Sequence, residues 1–168
     1  RSGRSGRSRA SRQFANGVFI QPNRALVVAG ARSGTGSGGA RVRFGFGLTR
    51  YTNSGALDTS FGSTHTGRVR TLLGPKDDQA YALVLQPDGK LVAAGRSNAT
   101  GGNSQIALVR YNPNGSRDTG FGPAHSGILR TPVAMNAVAF ALAQQPDGKW
   151  GVAGSAVDRK SQRRNPKH

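Results

Sequence analysis

Two of the three histidines, His65 and His125, lie 60 residues apart in matching sequence surroundings, each after a Phe-Gly pair and two residues before a glycine. An imidazole can bind a metal ion or transfer a proton near neutral pH, so equivalent histidines around a ring axis would be candidate ligands. The other interpretation is a turn histidine copied with its repeat, which is favoured because no acid or second histidine lies nearby in sequence. Arg70 and Arg130 share the same offset, and together these four residues are the candidate ligand-binding positions.

Two aspartates, Asp58 and Asp118, repeat at the same distance. The pattern Asn112-x-Asn114-Gly115-x-x-Asp118 resembles part of a calcium loop, but such a loop needs acids at alternate positions and a bidentate Glu at its end. The chain contains no Glu. Because Asp also caps backbone amides in turns, we expect it to do so here, and we expect no bound metal.

No sequence pattern supports catalysis. The acids outside the repeated positions of the body, Asp77 and Asp78, are adjacent, whereas a glycosidase needs two carboxylates on opposite sides of one bond. No Gly-x-Ser-x-Gly elbow lies between a strand and a helix. The glycine-rich residues 36–39 lack the Gly-Lys-Ser/Thr end of a phosphate loop. We therefore expect a protein that is not an enzyme and has no cofactor.

The chain is strongly basic, with 24 Lys and Arg against seven acidic residues, all Asp, and a formal net charge of +17. The electrostatic field of this positive charge favours phosphates, anionic glycans and acidic membranes as partners, without selecting one of them. The basic residues are concentrated at both ends, so an alternative function is nucleic-acid binding through tail contacts with phosphate. The candidate phosphate contacts are Arg1, Arg4, Arg7, Arg9, Arg12, Arg159, Lys160, Arg163 and Arg164. The chain has no cysteine, which excludes disulfides and thiolate metal sites, and no apolar run approaches the roughly 20 residues that span a bilayer.

Three copies of one hairpin must position these residues. Residues 86–95 read Gln-Pro-Asp-Gly-Lys followed by an apolar run, residues 145–154 repeat this, and residues 21–30 are a looser copy. Proline fixes φ at the second turn position, Asp or Asn hydrogen-bonds to its own backbone, and glycine takes the left-handed position. Apolar runs on both sides predict two paired strands for each copy. In the first copy Asn23-Arg24-Ala25 replaces Asp-Gly-Lys, so the turn lacks its glycine.

A second repeated segment relates residues 50–71 to residues 110–131, in a register that is constant at 60 residues. We predict strands at 43–51, 67–73, 106–111 and 127–131, and loops at 31–41 and 96–105. The aromatic residues Tyr51, Tyr111, Phe61 and Phe121 recur with this register, so we expect them to pack between blades. No segment has a helical period, and four short strands per unit predict an all-β fold.

These motifs resemble the delta-60 repeat family, in which a Gln-Pro-Asp-Gly-Lys hairpin is followed by Arg-Tyr-Asn-x-x-Gly-x-x-Asp-x-x-Phe-Gly. The resemblance covers residues 14–154. It implies β-propeller-like blades of about four strands, as antiparallel meanders. Because about two and a half repeats fall short of the four to eight blades of a typical ring, we expect an arc of a larger β-propeller, or a protomer that closes by association. The resemblance also implies a large, exported or surface-attached bacterial protein with no general activity assigned.

We therefore expect a disordered Arg/Ser/Gly-rich tail at 1–13, a repeat domain at 14–154 (units 14–79, 80–137 and a partial unit 138–154) and a disordered basic tail at 155–168. The expected function is a non-catalytic repeat scaffold for ligand or protein binding, at an extracellular or cell-surface location, although no signal peptide is visible in this sequence. Because two units and a hairpin leave unpaired blade edges, the expected partners are further propeller repeats or a second copy of the chain. Polyanions such as nucleic acid or an acidic glycan are the other expected partners.

Overall fold

The computed structural model describes residues 10–34, 42–98, 103–133 and 135–157. These residues form ten β-strands, which lie in two four-stranded sheets and one two-stranded sheet. The strands are β1 (Gln13–Ile20), β2 (Leu26–Ser33), β3 (Phe44–Tyr51), β4 (Arg68–Thr71), β5 (Asp78–Leu85), β6 (Leu91–Asn98), β7 (Ser104–Tyr111), β8 (Ile128–Thr131), β9 (Met135–Gln144) and β10 (Trp150–Val157). Over the residues that the structure describes, no helix has the length and apolarity needed to cross a membrane.

Each sheet is an antiparallel meander in sequence order. The first sheet contains β1 to β4, the second contains β5 to β8, and the third contains β9 and β10. The first strand of each sheet contacts the first strand of the next, and the sheets pack face to face along the chain. The predicted all-β fold with consecutive partial blades is confirmed.

The hairpin turns have the predicted chemistry. In the second sheet Gly89 N donates to Gln86 O at 2.9 Å, and in the third sheet Gly148 N donates to Gln145 O at the same distance. Gly89 has φ of +80° and Gly148 has φ of +84°, so both adopt the left-handed conformation. Arg24 takes the equivalent position in the first sheet with φ of +63°, so a residue with a Cβ adopts the left-handed conformation there.

A β-bulge interrupts the first strand of every sheet. Asn16, Tyr81 and Phe140 are the extra residues, and the strand opposite places a glycine beside each bulge. A Cβ added to Gly95 would lie 2.0 Å from Gln79 O, so only glycine fits at this close approach. The repeated Ala-Gly pair at the end of each hairpin therefore reflects the bulge.

Two apolar layers lie between the sheets. The layer between the first and second sheets contains Val27, Phe46, Leu48, Phe61, Leu91, Val109 and Tyr111. The layer between the second and third sheets contains Val92, Leu108 and Phe121, with Trp150 partly buried against it. The aromatic residues predicted to pack between units are accordingly buried, except Tyr51, which is half-buried.

The ordered sheets extend past several predicted boundaries. Strand β1 begins at Gln13, and Arg12 N donates to Ser33 Oγ at 2.8 Å, so residues 12 and 13 belong to the first sheet and not to a disordered tail. Strand β10 likewise continues to Val157, past the predicted end of the domain at 154. The predicted loops at 31–41 and 96–105 begin too early, because β2 and β6 continue past the bulge to Ser33 and Asn98. Residues 10 and 11 precede β1 outside any strand, and the remaining parts of the predicted tails, residues 1–9 and 158–168, lie outside the described residues.

Candidate anion-binding cleft

The two histidines singled out by the sequence have exposed side chains in turns. His65 has φ of +52° and His125 has φ of +47°, and each backbone N–H donates to the preceding glycine carbonyl, Gly62 O at 3.0 Å and Gly122 O at 3.1 Å. A repeated left-handed residue in a closed turn is a backbone feature, which favours the interpretation as a turn histidine. Among the described residues, no group of three His, Asp, Glu or Cys side chains is placed to hold a metal ion.

Asp58 and Asp118 hold the turn that follows β3 and β7. Asp58 Oδ1 accepts from Ser60 N at 3.0 Å and Asp118 Oδ1 accepts from Gly120 N at 3.0 Å, as the capping interpretation predicts. Their second carboxylate oxygens accept from the Nε of Arg50 at 2.7 Å and of Arg110 at 2.8 Å. Both arginines also lie over a phenylalanine ring, so each unit contains a closed Arg-Asp-Phe contact.

The pKa values of both carboxyl groups lie below the ordinary value. The hydrogen bond from the Ser60 side chain is the largest cause for Asp58, and the charge of Arg50 adds to it. Burial raises the pKa of Asp118, but the hydrogen bonds from Gly120 N and Lys90 and the charge of Arg110 outweigh that effect. Both groups are therefore ionised at neutral pH and paired with arginine.

Asp77 and Asp78 are also part of the framework. Asp78 is buried at the start of β5, where it accepts from Leu73 N at 2.7 Å and from Ser97 Oγ at 2.9 Å. Asp77 Oδ1 accepts from Phe44 N at 2.8 Å. These contacts tie the link between β4 and β5 to both sheets, and Asp78 is the first residue of β5.

A cleft of about 710 Å³ lies between the first and second sheets, and Arg70 lines it. Three further arginines line the same cleft: Arg32 from β2, Arg68 from β4, and Arg117 from the loop after β7. Hydroxyl groups of Ser11, Ser63, Thr64, Thr71 and Ser116 complete its polar wall, and no aspartate among the described residues lines it. The cleft therefore combines four guanidinium groups with neutral hydroxyl groups.

Sheet register explains why Arg32 and Arg70 fit on the same side of the cleft. Gly47 of β3 pairs with Arg70 of β4, and a Cβ at Gly47 would lie 2.7 Å from Arg32 Cβ. A Cβ at Gly34 would lie 2.5 Å from Arg70 Nη1. Glycine at 34 and 47 thus leaves room for both arginine side chains.

The charge of this arginine cluster is not neutralised within the described part of the chain. None of Arg32, Arg68, Arg70 and Arg117 forms an ion pair there, and Arg70 donates only to the carbonyl oxygen of Arg43, at 3.4 Å. Burial is the main cause that lowers the pKa of Arg32, and repulsion by Arg68 and Arg70 lowers it further. A cluster of like charges without acids attracts anions.

Tyr111 lies at the wall of the cleft and joins its two sides. It is fully buried, and its hydroxyl group donates to Thr71 Oγ1 at 2.8 Å. Burial raises the pKa of Tyr111 well above its usual value, so the phenol stays neutral and the hydrogen bond persists over the physiological range. The contact holds β7 of the second sheet against β4 of the first.

The other predicted site residues are not brought into this cleft. Arg130 does not line it and donates to Leu73 O instead, and Thr64 rather than its neighbour His65 contributes to the wall. The predicted phosphate contacts in both tails lie outside the described residues, apart from Arg12, so nucleic-acid binding by the tails stays a prediction.

Sequence reasoning missed Arg32, Arg68 and Arg117. A comparison of equivalent positions could have found them, because the second unit has Ser97 and Ile128 where the first has Arg32 and Arg68. Likewise, Arg117 in the second unit bridges to Tyr111 at the position where Leu57 bridges to Tyr51 in the first unit. The corresponding cleft between the second and third sheets is mainly apolar, with Leu108, Leu129 and Trp150 among its lining residues.

Comparison with known families gives a match within the second unit. Residues 86–121 match the model of a family described as Domain of unknown function (DUF5122) beta-propeller. This segment is similar to DUF5122. The match begins at the Gln-Pro-Asp-Gly-Lys turn and ends at Phe121, and it includes the Arg110–Asp118 pair and one of the cleft arginines, Arg117. No curated protein matches the chain.

Proposed function

We propose that this chain is a non-catalytic β-propeller-type repeat scaffold that binds an anionic ligand in the cleft between its first two sheets. The delta-60 resemblance extends the DUF5122 similarity of the second unit to residues 14–154, in keeping with a repeat scaffold. The observation that supports ligand binding is the unneutralised cluster of four arginines in one cleft.

The chemistry of the lining supports binding without catalysis. Within the described part of the chain, the lining residues include arginine, serine, threonine and one buried tyrosine, but neither a histidine nor a carboxylate that could act as a general base. Arginine presents several N–H donors in a fixed fork that matches oxyanions. A rigid framework of sheets with variable side chains at one edge is a common basis for specific recognition.

Chemical-shift mapping of the full chain with inorganic phosphate tests this function. We expect the largest changes at the amides of Gly34, Thr71 and Ser116, which line the cleft. The variant Arg32→Ser, which introduces the residue found at this position in the second unit, should weaken binding. Lys149→Ala removes the same charge from an exposed turn and is the control. Shifts spread evenly over all basic residues, or unchanged in Arg32→Ser, would contradict the proposal.

We also propose that the outer face of the first sheet packs on another unit of this kind, supplied by a second copy when the chain is alone. Val18 and Ile20 are 65% and 64% exposed, whereas their equivalents Leu83 and Leu85 pack into the layer between sheets. Within the chain, one face of the first sheet already packs on the facing side of the second sheet. The same face-to-face contact can therefore form head to tail between copies.

A further inference from the structure

The four arginines of the cleft do not come from one sheet. Arg32, Arg68 and Arg70 lie on β2 and β4 of the first sheet, whereas Arg117 follows β7 of the second. The only side-chain hydrogen bond between these two walls that lies at the cleft in the described residues joins Tyr111 to Thr71. A ligand held by all four guanidinium groups would therefore contact both sheets.

The size and wall chemistry of the cleft limit the ligand. A volume of about 710 Å³ is far larger than one phosphate or sulfate ion and falls within the range of organic ligand pockets. Four unpaired arginines require several negative charges for neutralisation, and phosphate or sulfate oxygens match the guanidinium fork. Of the residues that the structure describes, Tyr111 is the one aromatic residue in the lining, and it is fully buried, so this lining offers no exposed ring on which a nucleic-acid base could stack.

Resting on the proposed function, we propose that the ligand is a compact molecule with several phosphate or sulfate groups, and that it bridges the first two sheets. One group binds to the Arg32, Arg68 and Arg70 side, and a second group binds to Arg117. The bound ligand then adds a polar link across the interface that Tyr111 and the apolar layer already hold.

Position 117 offers a matched variant for the test. Arg117 and Leu57 make the same isolated bridge, to Tyr111 and Tyr51 respectively, so Arg117→Leu introduces a residue that this backbone already accepts. The variant removes the second-sheet contact and leaves the first-sheet arginines in place. Lys149→Ala is the charge control, because the Lys149 side chain is 79% exposed and pairs with Asp147 in its own turn.

The experiment is calorimetric titration of the full chain at constant ionic strength with three probes: inorganic orthophosphate, inorganic tripolyphosphate and sucrose octasulfate. We expect at least one multivalent probe to bind at least about tenfold more tightly than orthophosphate, because a second charged hydrogen-bonded contact forms. Arg117→Leu should remove most of that gain, leave orthophosphate binding unchanged and leave the urea unfolding midpoint of the free protein unchanged. Lys149→Ala should preserve the gain.

The two multivalent probes distinguish a phosphate ligand from a sulfate ligand, and tight binding of either supports the proposal. Equal affinities of Arg117→Leu and Lys149→Ala for every probe would overturn the bridging proposal, while a loss in Arg32→Ser would still support binding in the cleft. If Arg32→Ser also has no effect, the proposed function fails as well. A ligand that bridges the sheets should also raise the thermal midpoint of the unmodified chain more than that of Arg117→Leu.

Discussion

Tyr111 of the second sheet donates a hydrogen bond from its hydroxyl group to Thr71 Oγ1 of the first sheet, at 2.8 Å and in a fully buried position. The contact crosses the interface between two repeats, although the two residues lie 40 positions apart in the chain. Tyr51 has the same register position in the first sheet but is half-buried. One repeated residue thus has two environments, depending on whether a preceding sheet covers it.

Removing this hydroxyl group should destabilise the fold. We expect Tyr111→Phe to lower the free energy of unfolding by about 1–3 kcal/mol, because the buried Thr71 hydroxyl loses its partner. Tyr51→Phe is the matched control and should change it by less than about 0.5 kcal/mol, as a partly exposed substitution. Urea unfolding of both variants measures this, and equal losses would mean that the interface hydrogen bond contributes nothing specific.

Arg24 should be a position at which glycine stabilises the protein. Its φ of +63° costs a residue with a Cβ about 1 kcal/mol, and Gly89 and Gly148 adopt this conformation in the other hairpins. Allowing for the greater entropy of glycine in the unfolded chain, we expect Arg24→Gly to raise the free energy of unfolding by about 0.5 kcal/mol. The reverse change, Gly89→Ala, should lower it, and a thermal melt that ranks the two variants oppositely would contradict this explanation.

Gly95 should tolerate no side chain. A Cβ there would lie 2.0 Å from Gln79 O across the bulge, so Gly95→Ala should destabilise the protein by about 3 kcal/mol or more. Gly151→Ala is the control within the third hairpin, because the nearest atom to its Cβ, Ala143 O, lies at 3.8 Å. Since glycine weakens a strand, the control should be neutral or stabilising by about 0.5 kcal/mol. Similar unfolding curves for both variants would rule out the role assigned to the bulge.

Stability should fall in acid through Asp118. Its pKa in the folded protein is lowered from 3.8, so the unfolded chain binds this proton at a higher pH than the folded chain does. The contribution of the Arg110–Asp118 pair is therefore present above pH 3.8 and is lost as the pH falls through the folded pKa.

The measurement is the urea midpoint of Asp118→Asn and of the unmodified chain at neutral pH and in acid. The variant should be less stable at neutral pH, and the difference should shrink in acid, where the unmodified carboxylate is protonated. Asp88→Asn makes the same charge change in an exposed turn and should show a smaller difference at neutral pH. If the difference in urea midpoint between Asp118→Asn and the unmodified chain stays constant with pH, the pairing of Asp118 with Arg110 is contradicted.

The exposed face of the first sheet should drive self-association. Val18 and Ile20 are exposed apolar residues at the positions equivalent to Leu83 and Leu85, which pack between the first two sheets. Sedimentation at moderate salt should therefore show concentration-dependent association. Ile20→Lys should abolish it, whereas Arg24→Gly at the neighbouring turn should not. A concentration-independent monomer for the unmodified chain would contradict the head-to-tail contact.

The strands and turns could be predicted from the sequence because their causes are local. Pro22, Pro87 and Pro146, with Asp or Asn beside them, define each turn through backbone dihedrals and side-chain caps that span only a few residues. The 60-residue register then places Asp58 and Asp118 in identical turns. The all-β meander and the capping role of these aspartates follow from this information alone.

Only the tertiary structure decided which arginines form a site. Arg50 and Arg110 look as available in the sequence as Arg32 and Arg70, yet the first two are paired with aspartate in their own units. The cleft arginines line one cleft because the second sheet packs on the first and places Arg117 across from β4. This packing depends on contacts between residues far apart in the chain. The same packing buries Tyr111 and leaves Tyr51 half-exposed, since burial depends on a neighbouring sheet, which a local sequence pattern does not specify.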